Sequence, residues 1–479
     1  MIDVVFVAVP YTDTTEPVMA PALLKAVAIE HGYSSVALDL NVEIFNLLKG
    51  NKKEHELIEF FSFANEKPEL ATDVAELIDY SAKRILSYHP QMIGLSLLTH
   101  NSQIFTLWLL IKLKMLSPSI PIIIGGSGIK NFIASSDNTF CEYTKSLGLI
   151  DHYITGDGEI ALVELLKGNF SYPGIDSDQW VQPTNIDQFP YPDYSDYNFD
   201  QYASKMVPIT DSRGCVRACE FCDIIWHWKK YVYRSAESVF GEMLHQIKQH
   251  NISRFTMRNS LTNGNMKEFK KLLNLISNYN QDKSIENQIS WQGFFIVREK
   301  TQHPEEIFQK IKQSNGKLWL GVESVIKRVR YEMGKNFSDE SIDYHLEMTQ
   351  KYQIPILILM MIGNPTETLT DYEFTKQWFR ERYQYAGNSI EGIILSMSAV
   401  LPGTAWDKKQ EEMHLDIGKF PVLWINQETK ITAAQRLAYW NELEHICAPY
   451  HEAKIETKDF DSRQEATLKV LEMFSKENQ

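Results

Sequence analysis

The chain has 479 residues, with 48 Lys and Arg against 62 Asp and Glu, for a formal net charge of −14. At roughly 150 residues per domain this length predicts two to four domains, and 44% hydrophobic with 23% charged residues argues against long disordered tracts. The acidic balance makes a nucleic-acid partner unlikely, because phosphate binding draws on a basic field. No apolar run reaches the roughly 18 residues of a membrane span, since Lys breaks up the most apolar stretch, residues 104–116. Asp3 interrupts the first apolar run, and neither a basic flank nor a small-residue cleavage site marks a secretory signal. Five cysteines cannot staple so long a chain, which predicts a reducing, cytoplasmic compartment.

In chain order, residues 3–9 (DVVFVAV) are of strand type, and residues 21–31 carry a helical period that stops at Gly32. A second strand is expected at 35–40. Residues 41–90 are expected to be a helical insertion, longer than a simple crossover needs. Strand-type 92–97 leads into a helix at 102–116, followed by 121–124 (PIII) before Gly125-Gly126, and by Tyr153-Ile154 before Gly156. Strands alternating with helices predict a parallel sheet over residues 1–170 that binds ligands at its strands' carboxyl ends. Residues 171–204, rich in Pro, Asp, Tyr and Asn, read as a linker. Strand-like runs then recur at 206–210, 254–257, 289–295, 317–321, 356–362 and 393–400. Six strands with helices between them, over 205–403, predict a β/α barrel shorter than the eight-fold one. Residues 404–479 are mixed helix and loop.

Three of the five cysteines, Cys215, Cys219 and Cys222, fall on one loop directly after the first strand of this second domain. Soft thiolates select iron–sulfur or zinc over harder metals. Three thiolates can hold three irons of a cubane and leave the fourth open to substrate. Zinc is the structural alternative: His227 would complete a closed tetrahedron in a non-catalytic binding protein.

The run from Ser212 through Arg213, Gly214 and Cys215 to Cys222, with Phe221 before the last cysteine, resembles the radical S-adenosylmethionine (SAM) superfamily signature C-x3-C-x-aromatic-C. Over about 205–403 the likeness extends to Gly321-Val322-Glu323-Ser324, Tyr331-Glu332-Met333-Gly334-Lys335, the stretch 361–368 (MIGNPTET) and Leu401-Pro402-Gly403-Thr404. These later pieces, with Asp157-Gly158-Glu159, are similar to the branch that carries an N-terminal cobalamin (B12)-binding-type domain. The resemblance implies an α/β chain: a Rossmann-like (flavodoxin-like, B12-binding-type) parallel sheet, a partial (β/α)6 radical SAM barrel and a small C-terminal mixed helical region.

It also implies a chemistry. Cys215, Cys219 and Cys222 would ligate a [4Fe-4S] cluster whose fourth iron binds SAM. An electron from a donor such as flavodoxin or ferredoxin would cleave SAM to a 5′-deoxyadenosyl radical, which abstracts hydrogen from a small-molecule or peptide substrate. Phe221 would lie by the adenine, Glu323 and Ser324 at SAM's polar end, and Ile362-Gly363 beneath the adenine. Many members hold SAM's amino group with Gly-Gly-Glu after the second strand. Here that stretch reads MRNSLTNG (257–264), where Asn259 and Ser260 offer hydrogen bonds but no carboxylate. The expected outcome is cobalamin-dependent methylation of an unactivated carbon; the alternative is cobalamin-free epimerisation, cleavage or crosslinking of a ribosomally made peptide.

Candidates to line a cobalamin pocket are residues 12–15, 98–101 and 125–128, among them Thr12, Thr99, Asn101, Gly125 and Gly126. Residues 1–170 contain no Asp-x-His-x-x-Gly segment, so no imidazole is expected on cobalt; a substrate-docking or structural lobe without cobalamin is the alternative. Residues 226–234 (WHWKKYVYR) read either as an active-site wall or as a buried amphipathic stretch. Arg298 is expected in a structural ion pair, with a substrate carboxylate or SAM as its other possible partner. Cys141 and Cys447 read as buried, inert thiols, with Cys447 a candidate hydrogen-atom donor.

Overall fold

The computed structural model describes residues 2–10, 12, 14–48, 71–130, 139–383, 389–417 and 422–451. The chain divides into two compact units, residues 1–208 with 244–252, and residues 209–243 with 253–479.

In the first unit, β1 (Ile2–Ala8), β2 (Ser35–Asp39), β3 (Pro90–Ser96), β4 (Ile122–Gly125) and β5 (His152–Ile154) form one sheet in the order β2-β1-β3-β4-β5. The pairings are parallel, with Val5 between Val36 and Ile93. β1 is apolar on both faces because both are covered. Val5 and Val7 pack with Phe105 and Leu109 of the helix Gln103–Leu116, whereas Val4 and Phe6 pack with Ala28 and Leu162 on the other side. The order reverses between β1 and β3, and such a switch point opens a crevice at the carboxyl edge. This is the expected flavodoxin-like arrangement. Of the expected insertion, the helices Leu40–Leu48 and Ala71–Leu86 are seen, while 49–70 lie outside the described residues.

The segment 171–204, expected as a linker, is grouped with this unit. Buried Lys25 reaches Asp193 at 3.1 Å and Asp196 at 2.7 Å. The Tyr202 hydroxyl donates to Asp39 Oδ2 at 2.8 Å, and that of Tyr197 to the Val18 carbonyl at 3.3 Å. Its Tyr and Asp residues are anchors, which is why the segment lacks periodicity without being loose.

In the second unit, six strands follow one another in sequence across a sheet: β6 (Val207–Ile209), β9 (Arg254–Met257), β10 (Ser290–Phe295), β11 (Gly316–Glu323), β12 (Ile356–Ile362) and β13 (Ile390–Met397). A two-stranded antiparallel ribbon, β7 (Ser212–Arg213) with β8 (Val232–Tyr233), follows β6. The helices Ala236–His250, Met266–Gln281, Glu305–Gln313, Asp339–Lys351 and Leu369–Tyr383 alternate with the strands. On β10, Trp291 and Phe295 face Phe269 of the helix layer, the period-2 alternation of a strand covered by helices. This is the partial β/α barrel. Beyond it lie a short antiparallel pair, Leu415–Asp416 with Ile425–Asn426, and the helix Ala433–His451. No helix among the described residues is long and apolar enough to cross a membrane.

Candidate functional site

The cysteine loop is the turn of the β7–β8 ribbon. It begins at Gly214, whose φ is +78°; a Cβ there would sit 2.6 Å from the Lys230 carbonyl oxygen, so only glycine makes this entry. The amide of Arg217 donates to Cys215 Sγ at 3.4 Å, and that of Cys222 to the Cys219 carbonyl at 3.1 Å. Two neighbouring turns pin the loop: Glu220 N–H donates to the Met333 carbonyl at 3.0 Å, and its own carbonyl accepts from Trp406 N–H at 3.1 Å. All three thiols are free, and Cys219 is buried.

Burial raises the pKa of all three thiols, that of Cys222 to about 12; the Cys215 sulfur adds to the effect at Cys219, and both of these add to it at Cys222. Lys335 opposes this at Cys215 and Cys219. Burial pulls the Lys335 pKa down, but Glu323 and the two sulfurs outweigh it and hold the ammonium above the ordinary lysine value. Three soft donors that burial keeps from ionising alone are matched to a cationic cluster, since bound iron supplies the missing positive charge. No three His, Cys, Asp or Glu side chains among the described residues meet at one metal-ion position; a cubane does not need that, since each thiolate takes a different iron. His227, the fourth ligand of the zinc reading, has Asp223 as its neighbour, with Nε2 3.6 Å from Oδ2.

Around this loop the strand ends converge. Glu323 closes β11 after a register shift, with φ +64°; a glutamate in the left-handed region marks stored strain of the kind found at functional sites. Its Oε1 accepts from Lys335 Nζ at 2.9 Å. Ser324 is buried, and its hydroxyl accepts from the Ile326 N–H at 3.1 Å. Phe221 packs on Trp406 at 5.7 Å between ring centroids, with the Lys335 ammonium 5.9 Å from its ring. Ile362 is buried at the end of β12, and Glu367 ties the next turn by accepting from the amides of Gly363 at 2.8 Å and Asn364 at 3.1 Å. Burial lifts that carboxyl to about 7.

The turn after β9 is held from beneath. Asn263 donates through Nδ2 to the Ile296 carbonyl at 3.0 Å and accepts from the Ile296 amide. Its Nδ2 also meets His303 Nε2 at 3.2 Å; His303 Nδ1 meets His345 Nε2 at 2.9 Å, and His345 Nδ1 meets the Ser341 carbonyl at 2.8 Å. A carbonyl only accepts, so His345 carries its proton on Nδ1, accepts at Nε2, and leaves His303 to donate through Nδ1. Both rings are neutral: burial lowers His303 to about 2 and His345 to about 4.

Among the described residues Arg298 meets no carboxylate in an ion pair. Its Nη2 donates to the carbonyls of Asn263 at 3.1 Å and Gly264 at 3.5 Å, and its charge is felt alongside that of Cys215. In residues 226–234, Arg234 is buried against Glu242, and Tyr231 stacks on Tyr233 at 6.0 Å. Asp211, which sequence reasoning did not single out, is buried between β6 and β7 beside Asn259 and Ser212. Burial raises it to about 7, with Ser212 and Arg234 only partly opposing. Its composition signal was nil: one Asp among many before a cysteine loop.

Cys447 is fully buried on the helix Ala433–His451, and burial pushes its thiol well up. Cys141 is buried in the first unit, 3.1 Å from the Thr139 hydroxyl. In that unit Thr12, Thr99, Asn101, Gly125 and Gly126 all fall at the carboxyl edge, after β1, β3 and β4. The Thr12 amide donates to Asn41 Oδ1 at 2.9 Å, and its buried hydroxyl has no hydrogen-bond partner among the described residues. An orphaned hydroxyl at a switch-point crevice fits a ligand held by its edges.

Residues 209–379 match the model of the radical SAM superfamily. An uncharacterized methyltransferase of Pyrococcus horikoshii, PH0819, is 23% identical over 354 residues, which are 69% of this chain and 72% of the relative. Among solved structures, the radical SAM methyltransferase TsrM of Kitasatospora setae, with cobalamin and a [4Fe-4S] cluster, aligns with a TM-score of 0.60 at 15% identity, over 91% of this chain and 84% of its own. The cobalamin-dependent radical enzyme OxsB, with aqua-cobalamin and SAM, gives 0.67 at 14% identity, over 98% of this chain and 72% of its own. Residues 209–379 therefore carry a radical SAM domain, and the fold, a parallel α/β sheet followed by a partial β/α barrel, is the one shared with TsrM and OxsB.

Proposed function

We propose that this enzyme methylates an unactivated carbon of a small-molecule or peptide substrate in a SAM- and cobalamin-dependent reaction. The observation that carries the reading is the trio of Cys215, Cys219 and Cys222, one buried and two half-buried, on the loop that follows the β/α sheet's first strand. The methyltransferase relative and the fold shared with TsrM support the methyl-transfer part. When bound, the cluster supplies the electron that cleaves SAM, and cobalamin carries a methyl group.

Within the chain, the three cysteines hold the cluster, and Lys335 offsets part of the negative charge of the Cys215 and Cys219 thiolates. Glu323, Ser324, Asn259 and Ser260 orient SAM's polar end, while Phe221 and the Ile362-Gly363 strand end support its adenine. Thr12, Thr99, Asn101, Gly125 and Gly126 contact cobalamin by its edges. An external donor such as flavodoxin or ferredoxin delivers the electron.

Oxygen-free protein reconstituted with iron and sulfide, then incubated with SAM, cobalamin and reductant, is expected to form both S-adenosylhomocysteine and 5′-deoxyadenosine. Formation of 5′-deoxyadenosine alone, with no corrinoid retained, would leave radical chemistry without methylation. One zinc and no acid-labile sulfide would defeat the reading altogether. Replacing Cys215, Cys219 and Cys222 together by Ala is expected to remove the brown chromophore and all SAM cleavage while the far-ultraviolet dichroism stays that of the wild type.

A further inference from the structure

The aromatic and basic stretch 226–234 supplies none of the residues assigned to the cluster or to SAM, yet the fold sets it at the edge of the cysteine loop. Ser212 and Arg213 pair with Tyr233 and Val232, and a Cβ on Gly214 would meet the Lys230 carbonyl oxygen and Trp228 Cβ. Lys229 and Lys230 therefore flank the entry to the loop, and both are exposed. The turn 327–335 packs against the same loop: Glu220 N–H donates to the Met333 carbonyl, and a Cβ on Gly334 would lie 3.0 Å from the Ala218 carbonyl oxygen. Lys327 of that turn is exposed, its ammonium 5.9 Å from the exposed Tyr331 ring.

Charge sets these two segments apart from the rest of the chain. Residues 212–234 hold five Lys and Arg against two Asp and Glu, and residues 327–335 hold four against one, within a chain of net charge −14. The acids among them are already engaged: Glu220 accepts from Lys409 at 2.7 Å, Asp223 lies 3.6 Å from His227, and Glu332 accepts from Arg328 at 2.9 Å. Arg234, Arg330 and Lys335 are buried against Glu242, Asp339 and Glu323. The positive charge that reaches water is that of Lys229, Lys230 and Lys327, with half-buried Arg213 and Arg217 beside them. Exposed apolar side chains stand in the same segment: Val216, Ile225 and Tyr233. Apolar groups left in water among lysines mark a surface for a transient partner. Val216 adjoins Cys215 in the chain, so a partner resting on it comes within one residue of a cluster ligand.

We infer that this face, with Lys229 and Lys230 as its charged contacts and Val216, Ile225 and Tyr233 as its apolar ones, docks an acidic one-electron carrier protein. The inference rests on the radical SAM reading and names the surface through which its electron enters. A chain of net charge −14 repels an acidic carrier over most of its surface. A basic face beside the cysteine loop inverts that field locally, so encounters are steered to the side where transfer is shortest. The apolar side chains then hold the pair for the time transfer takes, and the small, weak interface lets the carrier leave. One electron passes from the reduced carrier to the oxidised cluster, and no bond forms or breaks.

The test reduces the full chain, carrying a reconstituted cluster, with two donors: reduced flavodoxin as the acidic carrier, and photoreduced deazariboflavin as a small neutral one. Both rates are read from the loss of the cluster's visible absorbance. Lys229→Glu combined with Lys230→Glu is expected to slow flavodoxin about tenfold or more at low ionic strength, with the deazariboflavin rate and the iron content as in the wild type. Lys229→Gln with Lys230→Gln is expected to fall between the two. The wild-type flavodoxin rate is expected to drop as salt is added, and the charge-reversed variant to lose that dependence. Equal slowing by both donors, no slowing by flavodoxin, or a wild-type flavodoxin rate indifferent to salt overturns the docking face. Substrate turnover that falls in the variant while flavodoxin reduces it normally also overturns it, giving the lysines to an anionic substrate. Wild-type protein that takes up iron and sulfide yet cleaves no SAM with the small donor would instead bring down the radical SAM reading on which the inference rests.

Discussion

Lys335 shows how one side chain can serve two partners. It is buried, donates to Glu323 Oε1 at 2.9 Å and to the Gly321 carbonyl at 3.4 Å, and its charge reaches the sulfurs of Cys215 and Cys219. A fixed positive charge beside a cluster favours the reduced, more negative state. Lys335→Met is therefore expected to lower the cluster's midpoint potential, read by potentiometric titration of its paramagnetic resonance signal, with the iron content kept. An unchanged potential would make Lys335 a purely structural partner of Glu323. The motif residues Glu323 and Lys335 were visible in the sequence, but their pairing twelve positions apart was not. Asp211 was invisible for a related reason: its raised pKa comes from burial beside Asn259 and Ser212, which no local motif shows.

At the scale of elements, the loops at strand ends are fitted to one another by backbone. Gly126 has φ +100°, and a Cβ there would lie 2.2 Å from the Leu97 carbonyl oxygen. The glycines after β4 were expected to admit a ligand; their tightest approach is to the turn after β3. Gly126→Ala is expected to destabilise the chain by roughly 2–4 kcal/mol, combining left-handed strain with a backbone clash, measured by urea unfolding. A loss under 0.5 kcal/mol would mean that the two turns separate freely. The strand positions themselves were legible, with β9 and β12 falling where apolar runs placed them. The anchoring of 171–204 was not, because a segment held by Tyr and Asp side chains leaves no period for the eye to find.

For the molecule as a whole, the buried pair His303 and His345 couples stability to pH. Folding lowers their pKa from 6.5 to about 2 and about 4, so the unfolded chain binds protons that the folded one refuses. Stability from this pair is complete above about pH 6.5 and is lost progressively as the pH falls towards 4 and below. The urea midpoint is expected to drop across that window, and His303→Phe combined with His345→Leu to flatten the slope there. A slope unaffected by the double substitution would place the acid sensitivity elsewhere.

By itself the sequence determined the class of chemistry and the two α/β layers. Cysteine spacing is a local property, and apolar runs of strand length alternate with helical periods whatever the final packing, so both survive in one dimension. Only the tertiary structure decided how buried charges are balanced: Lys335 with Glu323 beside the sulfurs, Arg234 paired with Glu242, and Asp211 held by Asn259 and Ser212 with Arg234 acting on it only in part. Charge balance depends on distance and on exclusion of water, and neither exists until strands far apart in the chain bring their ends to one edge.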